Sequence, residues 1–238
     1  MNKVQQHYDE VADIYDDRYD GRRGRSYHRH ISDHVMSMLP EGGLLLDLGC
    51  GTGLFVERYI KEGGRAMGLD ISPEMVRRGR WRCPGSGFCV GTAEVLPFRD
   101  GAFDALASLL AFSYVPDPGA MLAESYRVLK PGGRIAICTL SRTVFTSIVP
   151  VVYQVGEMVG MKKVGVGDFD ERYYTNGELA GLLEEAGFAD VSVTRCSFAH
   201  VNLAEPIFAL AQKVEPIIEE RLPYLAYNVC AAGKKPEG

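Results

Sequence analysis

The segment that most constrains the fold of this chain is LLLDLGCGTGLF, residues 44–55. Its apolar first half is typical of a buried β-strand, and Asp47 interrupts the apolar run near its end. Glycines follow at alternate positions, so the backbone can turn sharply and a ligand can approach without meeting a Cβ atom. A glycine-rich turn after a buried strand predicts a cofactor-binding loop at the carboxyl edge of a parallel sheet.

Strand-like and helix-like segments alternate through residues 40–140. The strand-like segments are strongly apolar and read, in chain order, LLLDLG, RAMGLD, GFCVGT, FDALASLLAF and GRIAICTL. Apolar strands that alternate with helices are typical of a parallel sheet covered by helices on both faces. We therefore predict an α/β fold with a doubly wound, Rossmann-like sheet. Two later segments, ADVSVTRCSF and LAYNVCAAGK, predict two more strands.

The length of 238 residues suits a single domain, residues 1–238. Residues 1–25 are predicted to form an N-terminal arm that acts as a lid, and residues 40–140 the cofactor-binding core. Residues 141–174 are apolar but carry no clear strand pattern, so we expect a small helical cap there. Residues 175–238 are expected to complete the sheet.

Charge and cysteine usage narrow the class of protein. The net charge is −5, with 26 basic against 31 acidic residues. A long contact with nucleic acid requires an excess of positive charge, which this composition does not provide. The six cysteines form no CxxC pair and several lie in apolar runs. Reduced, buried thiols in a cytoplasmic protein explain this pattern most simply. The five histidines show no metal-ligand spacing, so no metal is expected.

The longest apolar stretch, residues 143–161, is interrupted by Pro150, Gln154 and Glu157. A membrane span is therefore not expected, and a helical cap explains the stretch better.

Two classes of cofactor compete for the glycine loop. Asp70 ends the second strand segment 70 − 49 = 21 positions after Gly49, where a dinucleotide fold places its ribose-binding carboxylate. The G-x-G-x-x-G pattern of such folds is broken, because Leu54 occupies the third glycine position. Asp47 disfavours a pyrophosphate nearby and favours an ammonium or sulfonium group. S-adenosylmethionine carries a ribose, an adenine and such cationic groups, so it fits both aspartates.

The motifs together resemble the class I S-adenosylmethionine-dependent methyltransferases, above all the small-molecule subgroup that includes the ubiquinone and menaquinone C-methylating enzymes. LLLDLGCGTGLF is similar to their first motif, and GLDISPEM is similar to the segment that follows it. GTAEVLPFRDGAFDALASLLAFSYVPDP resembles the adenine loop and fourth strand, and RVLKPGGRIAI the turn into strand five. The resemblance implies a seven-stranded sheet whose last strand is antiparallel.

By this resemblance the glycine loop would carry the methionine portion of the cofactor, with its amino group on Asp47 and its ribose on Asp70. Ile71 and Met75 would pack on the adenine, and aromatic rings of the arm would face the sulfonium. The implied cofactor-binding residues are Tyr15, Tyr19, Asp47, Gly49, Cys50, Gly51, Gly53, Asp70, Ile71, Met75, Ala93, Glu94, Ser108, Leu109 and Leu110.

The implied reaction is in-line transfer of a methyl group to a small acceptor, with S-adenosylhomocysteine as product. The apolar cap suggests a hydrophobic acceptor, although the same residues could fill a cap core or a dimer contact, so the chain is expected to be a monomer or a homodimer. The sequence does not identify a catalytic base, and the candidates are Tyr114, Tyr174, His28 and His200. An RNA or protein substrate, or cofactor binding without catalysis, remain alternatives.

Overall fold

The computed structural model describes residues 3–143, 171–201 and 203–237. Its centre is a sheet of seven strands: β1 (Leu44–Leu48), β2 (Arg65–Asp70), β3 (Gly87–Val90), β4 (Phe103–Leu109), β5 (Leu129–Leu140), β6 (Ala189–Cys196) and β7 (Asn228–Lys234). They lie in the order β3-β2-β1-β4-β5-β7-β6. Strand β7 runs antiparallel to both of its neighbours, and the pairs among β1 to β5 are parallel. The predicted doubly wound sheet with an antiparallel last strand is therefore confirmed.

Eight α-helices lie in the described part of the chain, and short 3-10 turns follow β4 and precede β7. Three of the helices precede the sheet, and α4 to α6 connect its parallel strands. The helices are α1 (Lys3–Tyr15), α2 (Asp17–Asp20), α3 (Arg22–Met38), α4 (Leu54–Lys61), α5 (Pro73–Arg82), α6 (Pro118–Val128), α7 (Asn176–Glu185) and α8 (Glu205–Arg221).

Side-chain caps explain where several helices begin. Ser72 precedes α5, and its Oγ accepts the Met75 N–H at 3.1 Å. Asp117 caps α6 in the same way. Thr175 and Glu178 form a reciprocal capping box at the start of α7. These residues satisfy backbone N–H groups that the first turn of a helix leaves without partners.

The core is divided by the sheet into two layers, because successive residues of a strand face opposite sides. In β5, Ala136 and Cys138 join the layer beneath α3 and α4. Ile135 and Ile137 join the layer beneath α6 and α7. The glycine loop between β1 and α4 belongs to the first layer, which therefore holds the candidate site.

The N-terminal arm is helical where the structure describes it, and α3 begins at Arg22, within the predicted arm. Most of the predicted cap, residues 144–170, lies outside the described residues. The described ends of that segment meet, since Ser141 forms a parallel bridge with Tyr174. No helix within the described ranges combines the length and apolar character that a membrane crossing requires.

Candidate active site

The glycine loop adopts a backbone shape that only glycine accommodates easily. Gly49, Gly51 and Gly53 have φ angles of 74°, 51° and 82°, in the left-handed region. A Cβ atom on Gly49 would also lie 2.2 Å from the Cβ of Ala111. The Gly49 and Cys50 N–H groups both donate to the Leu69 carbonyl, at 2.8 and 3.0 Å, which ties the loop to the end of β2.

Asp70 holds the loop from the other side. Its Oδ2 accepts the Gly51 N–H at 2.8 Å, and its Oδ1 accepts the Ser72 N–H at 2.9 Å. Burial raises the pKa of Asp70, and these backbone hydrogen bonds oppose the rise. A carboxylate offers about four acceptor positions, so Asp70 retains lone pairs for a ribose diol.

Asp47 is a buried acidic side chain at the end of β1, and one of its oxygens makes no hydrogen bond among the described residues. The side chain is 2% exposed, and the oxygen without a partner is Oδ1. Burial, together with the nearby Asp70 carboxylate, raises the pKa of Asp47 to about 8. A buried acceptor without a donor is costly, and an ammonium group would supply both the donor and the missing positive charge.

A cavity opens in front of these groups, between the glycine loop, the end of β4 and helices α1 to α3. It encloses about 390 Å³, including its solvent-open mouth. Its walls are built from predicted and unpredicted residues, namely Tyr15, Tyr19, His28, Ile31, Asp47, Gly49, Cys50, Gly51, Thr52, Leu54, Phe55, Leu109 and Leu110. The fold therefore gathers eight of the fifteen implied cofactor residues, together with the candidate base His28, around one cavity.

Aromatic rings of the arm form one side of this region. The rings of Tyr15 and Tyr19 lie 5.6 Å apart, and Tyr19 meets His28 edge-on at 5.3 Å. Tyr8 bridges Tyr15, at 6.1 Å, and Tyr114, at 6.0 Å. Rings at such spacing form an apolar, electron-rich wall that suits a sulfonium cation.

Acidic side chains of the arm fix it to the core. Asp16 Oδ1 accepts from the Thr52 hydroxyl at 2.6 Å, and Arg82 pairs with its other oxygen at 2.5 Å. One α1 residue, Asp9, accepts from the Ser72 hydroxyl at 2.5 Å. The arm therefore rests on the glycine loop and on α5, and it covers the cavity from above.

Of the four candidate bases, His28 lines the cavity. Burial, assisted by the positive charges of Arg58 and Arg82, lowers the pKa of His28 to about 4. The imidazole is therefore neutral at pH 7 and keeps a nitrogen that can accept a proton. Its Nδ1 lies 3.3 Å from the Ser32 hydroxyl.

The other three candidates occupy different positions. Tyr174 packs on Phe112 at 5.2 Å in the α6–α7 layer, on the far face of the sheet from the cavity. His200 stacks on Tyr227 at 4.4 Å, and its burial lowers its pKa to about 3. Tyr114 contacts the arm through Tyr8 and donates its hydroxyl to Glu171 at 3.2 Å.

Several implied cofactor residues also lie outside the cavity wall as the structure describes it. They are Gly53, Asp70, Ile71, Met75, Ala93, Glu94 and Ser108. Met75 is 1% exposed and Ser108 is fully buried, so both fill the interior. The adenine contacts of this set stay predictions.

Four wall residues were not predicted from the sequence. Thr52 lies within the glycine loop and Leu54 is the first residue of α4, so their position next to Gly51 and Gly53 was the available signal. Phe55 follows in the first turn of α4. Ile31 is on α3, and no local pattern connects that helix with the loop.

Comparisons with known proteins show the family to which the chain belongs. The family described as "Methyltransferase domain" matches residues 46–137. A ubiquinone/menaquinone biosynthesis C-methyltransferase of Acidiphilium cryptum is 32% identical over 82% of this chain and 86% of its own length. A ubiquinone biosynthesis O-methyltransferase of Xylella fastidiosa is 30% identical over 68% of this chain and 69% of its own. The chain belongs to the class I S-adenosylmethionine-dependent methyltransferases.

A solved structure supports the fold of this methyltransferase over nearly its whole length. An S-adenosylmethionine-dependent methyltransferase from Thermotoga maritima superposes with a TM-score of 0.72 at 24% identity. The match covers 97% of this chain and 99% of the other. At that identity the likeness concerns the fold.

Proposed function

We propose that this methyltransferase transfers the methyl group of S-adenosylmethionine to a small, hydrophobic acceptor by in-line displacement. The observation that carries the proposal is the unpartnered Asp47 oxygen in the wall of a cavity whose floor is the glycine loop. The cofactor supplies an activated methyl group when bound, so the protein has to align two reactants and exclude water.

The proposed binding mode assigns one task to each part of the site. Asp47 receives the amino group of the cofactor, and the loop of Gly49 and Gly51 follows its amino-acid portion closely, with no Cβ in the way. Asp70 receives the ribose hydroxyls on the lone pairs that Gly51 and Ser72 leave open. Tyr15 and Tyr19 face the sulfonium, a contact worth roughly 0.5–2 kcal/mol.

The arm excludes water in this proposal. Its contacts through Asp16 to Thr52 and Arg82 hold it over the loop. The cofactor must enter and leave past these contacts, so the arm has to open in each catalytic cycle. An acceptor would approach from the end of β4, beside Leu109 and Leu110, where the wall is apolar.

A proton has to leave an oxygen or carbon acceptor when it is methylated. We assign this role to His28, because it is the candidate base in the cavity wall and its imidazole is neutral at pH 7. His200 also has a depressed pKa, but it stacks on Tyr227 and meets Tyr27 edge-on, away from the cavity wall, which makes it the matched control.

The hydrophobic acceptor is supported by the apolar side chains of Leu109 and Leu110 in the wall and by the relatives, whose names describe ubiquinone and menaquinone biosynthesis. Those relatives include both an O- and a C-methyltransferase, so an aromatic ring with a hydroxyl group is the acceptor class to test first.

The test uses S-adenosylmethionine labelled in the methyl group and three acceptor pools: polyhydroxylated aromatics with and without an apolar tail, total RNA, and a protein extract. Label in the aromatic fraction, reduced in His28→Gln and retained in His200→Gln, is the expected result. Label in RNA or protein alone would replace the proposal with a macromolecular substrate. No label in any pool, with tight cofactor binding, would identify a binding protein without transferase activity.

A further inference from the structure

Helices α3 and α8 bring two histidines and a glutamate together at a place separate from the cofactor cavity. His30 and His34 lie one turn apart on α3, and Glu219 faces them from α8. The His30 Nε2 lies 2.7 Å from Glu219 Oε1, and the His34 Nε2 lies 3.4 Å from Glu219 Oε2. One ligand atom from each of the three residues lies within 4.8 Å of the other two.

This spacing fits the coordination shell of a first-row transition metal. Zinc binds histidine nitrogen and carboxylate oxygen at about 2.0–2.2 Å, so tetrahedral ligand atoms lie about 3.3 Å apart. The His34–Glu219 distance of 3.4 Å matches that separation. The His30–Glu219 distance of 2.7 Å is that of a hydrogen bond, so these two groups would move apart by about 0.6 Å on binding the ion. Histidines at i and i+4 share one helix face, which is the arrangement that metal-binding helices use.

The glutamate is held in place by the backbone, as an ordered metal ligand requires. Its Oε1 accepts the Ser197 N–H at 2.7 Å. A second carboxylate, Glu215, has its Oε1 3.8 Å from His30 Nε2 and accepts the Ala199 N–H at 2.8 Å. With both imidazoles deprotonated, as metal binding requires, the two carboxylates make the site negative and attract a divalent cation. Outer-shell contacts of this kind orient the ligands.

The site can be reached from solvent. The side chains of His30 and His34 are 29% and 27% exposed, and that of Glu219 is 15% exposed. An ion can therefore enter without unfolding of the protein, and a water molecule can complete its coordination.

We propose that His30, His34 and Glu219 bind one divalent transition-metal ion that joins α3 to α8. The ligand set of two imidazoles and one carboxylate suits Zn²⁺, Co²⁺, Ni²⁺ or Fe²⁺, and it disfavours Mg²⁺ and Ca²⁺, which prefer oxygen alone. No metal was expected from the sequence, although His30 and His34 have the i, i+4 spacing. The third ligand, Glu219, follows His30 only 189 positions later in the chain.

The competing explanation is a set of ion pairs without a metal. The hydrogen bond to Glu219 raises the pKa of His34. Burial alone would raise the pKa of Glu219, but its contacts with the two histidines outweigh burial and lower that pKa to about 2. A metal displaces the protons on the ring nitrogens, whereas an ion pair requires them. Metal addition therefore separates the two explanations.

A second cluster provides an internal comparison. The sulfur atoms of Cys138, Cys196 and Cys230 also lie within 4.8 Å of one another, on β5, β6 and β7. All three thiols are fully buried, so that cluster has no route for an ion in the folded protein. Thiolate ligation of Co²⁺ gives intense near-ultraviolet absorption that nitrogen and oxygen ligands lack, so the metal spectrum reports which cluster binds.

The experiment is calorimetric titration of the metal-free full chain with ZnCl₂, repeated with His34→Gln, Glu219→Gln and, as the matched control, Glu220→Gln. Glu220 is the exposed neighbour on the same helix. The proposal expects one zinc ion per chain. Substitution of an outer-shell residue weakens metal binding roughly 10- to 100-fold, and His34→Gln and Glu219→Gln should each weaken it by more than that. The affinity of Glu220→Gln should be unchanged.

Circular dichroism checks that each variant is folded, and Co²⁺ absorption of the unmodified chain gives a readout that needs no variant. The expected Co²⁺ spectrum shows weak d–d bands without thiolate absorption. The proposal is overturned by an absence of Zn²⁺ binding, by equal affinity in wild type and the His34 and Glu219 variants, or by a thiolate spectrum. None of these results depends on methyl transfer, so they leave the proposed function untouched.

Discussion

Replacing Asp47 by Asn tests the electrostatic basis of the site without the cofactor. Wild-type Asp47 is buried with an unpartnered oxygen, and its pKa rises from 3.8 to about 8. The folded protein therefore holds this proton more tightly than the unfolded chain does. The resulting stability is present at acidic pH and is lost as the pH rises from the unfolded pKa towards the folded one.

The size of the effect follows from the slope of this loss. Between about pH 5 and about pH 7, one such group lowers the free energy of unfolding by roughly 1.4 kcal/mol per pH unit, or about 2.7 kcal/mol in total. Asn carries no proton to lose, so the Asp47→Asn protein lacks this slope. We compare how the free energy of unfolding changes with pH in the two proteins. The packing difference between Asp and Asn does not change with pH, and distant groups titrate alike in both proteins, so neither affects this comparison.

The assay is urea unfolding of both proteins at acidic and neutral pH. The free energy of unfolding of wild type should fall by about 2.7 kcal/mol more than that of Asp47→Asn over this range. Parallel pH profiles for the two proteins would refute the raised pKa. Saturating S-adenosylhomocysteine should reduce the wild-type slope, because its ammonium group favours the ionised carboxylate.

Three further substitutions test other parts of the site. Gly49→Ala should destabilise the protein by about 1–3 kcal/mol more than Gly42→Ala. The two glycines have similar φ angles, but a Cβ at Gly49 would lie 2.2 Å from a side-chain carbon, whereas the space around Gly42 is open. Equal urea midpoints for the two variants would contradict this. Asp70→Ala should weaken S-adenosylmethionine binding by about 2–3 kcal/mol in calorimetry, and an unchanged Kd would remove its ribose role. Arg82→Gln releases Asp16 and should speed chymotrypsin cleavage of the arm, whereas equal cleavage rates would show that the ion pair does not hold it.

The sheet and the glycine loop could be predicted because their signals are local. An apolar strand, Asp47 and the alternate glycines occupy a dozen consecutive residues, and Ser72 with Pro73 marks the next helix within one turn of Asp70. Strand and loop propensities act over such short ranges, so the sequence carries them directly.

Features that depend on packing between distant segments could not be predicted in this way. Tyr174 is the last residue of the predicted cap, but its bridge to Ser141 places it with Phe112 on the face opposite the cavity. His30 and Glu219 are 189 positions apart and meet because α8 packs beside α3, where Gln212 also hydrogen-bonds Ser26. No sequence pattern encodes such a contact, since it depends on how the whole sheet twists and which helices cover it.

The central claim is that the Asp47 carboxylate receives the ammonium group of the methyl donor. Calorimetry of S-adenosylhomocysteine binding at about pH 6.5, in two buffers of different ionisation enthalpy, measures the protons released. In the protein without ligand the pKa of Asp47 is about 8, so its carboxyl group is protonated at pH 6.5 before binding. The account predicts release of close to one proton by wild type and none by Asp47→Asn. Binding without proton release, or equal release by both proteins, would contradict it.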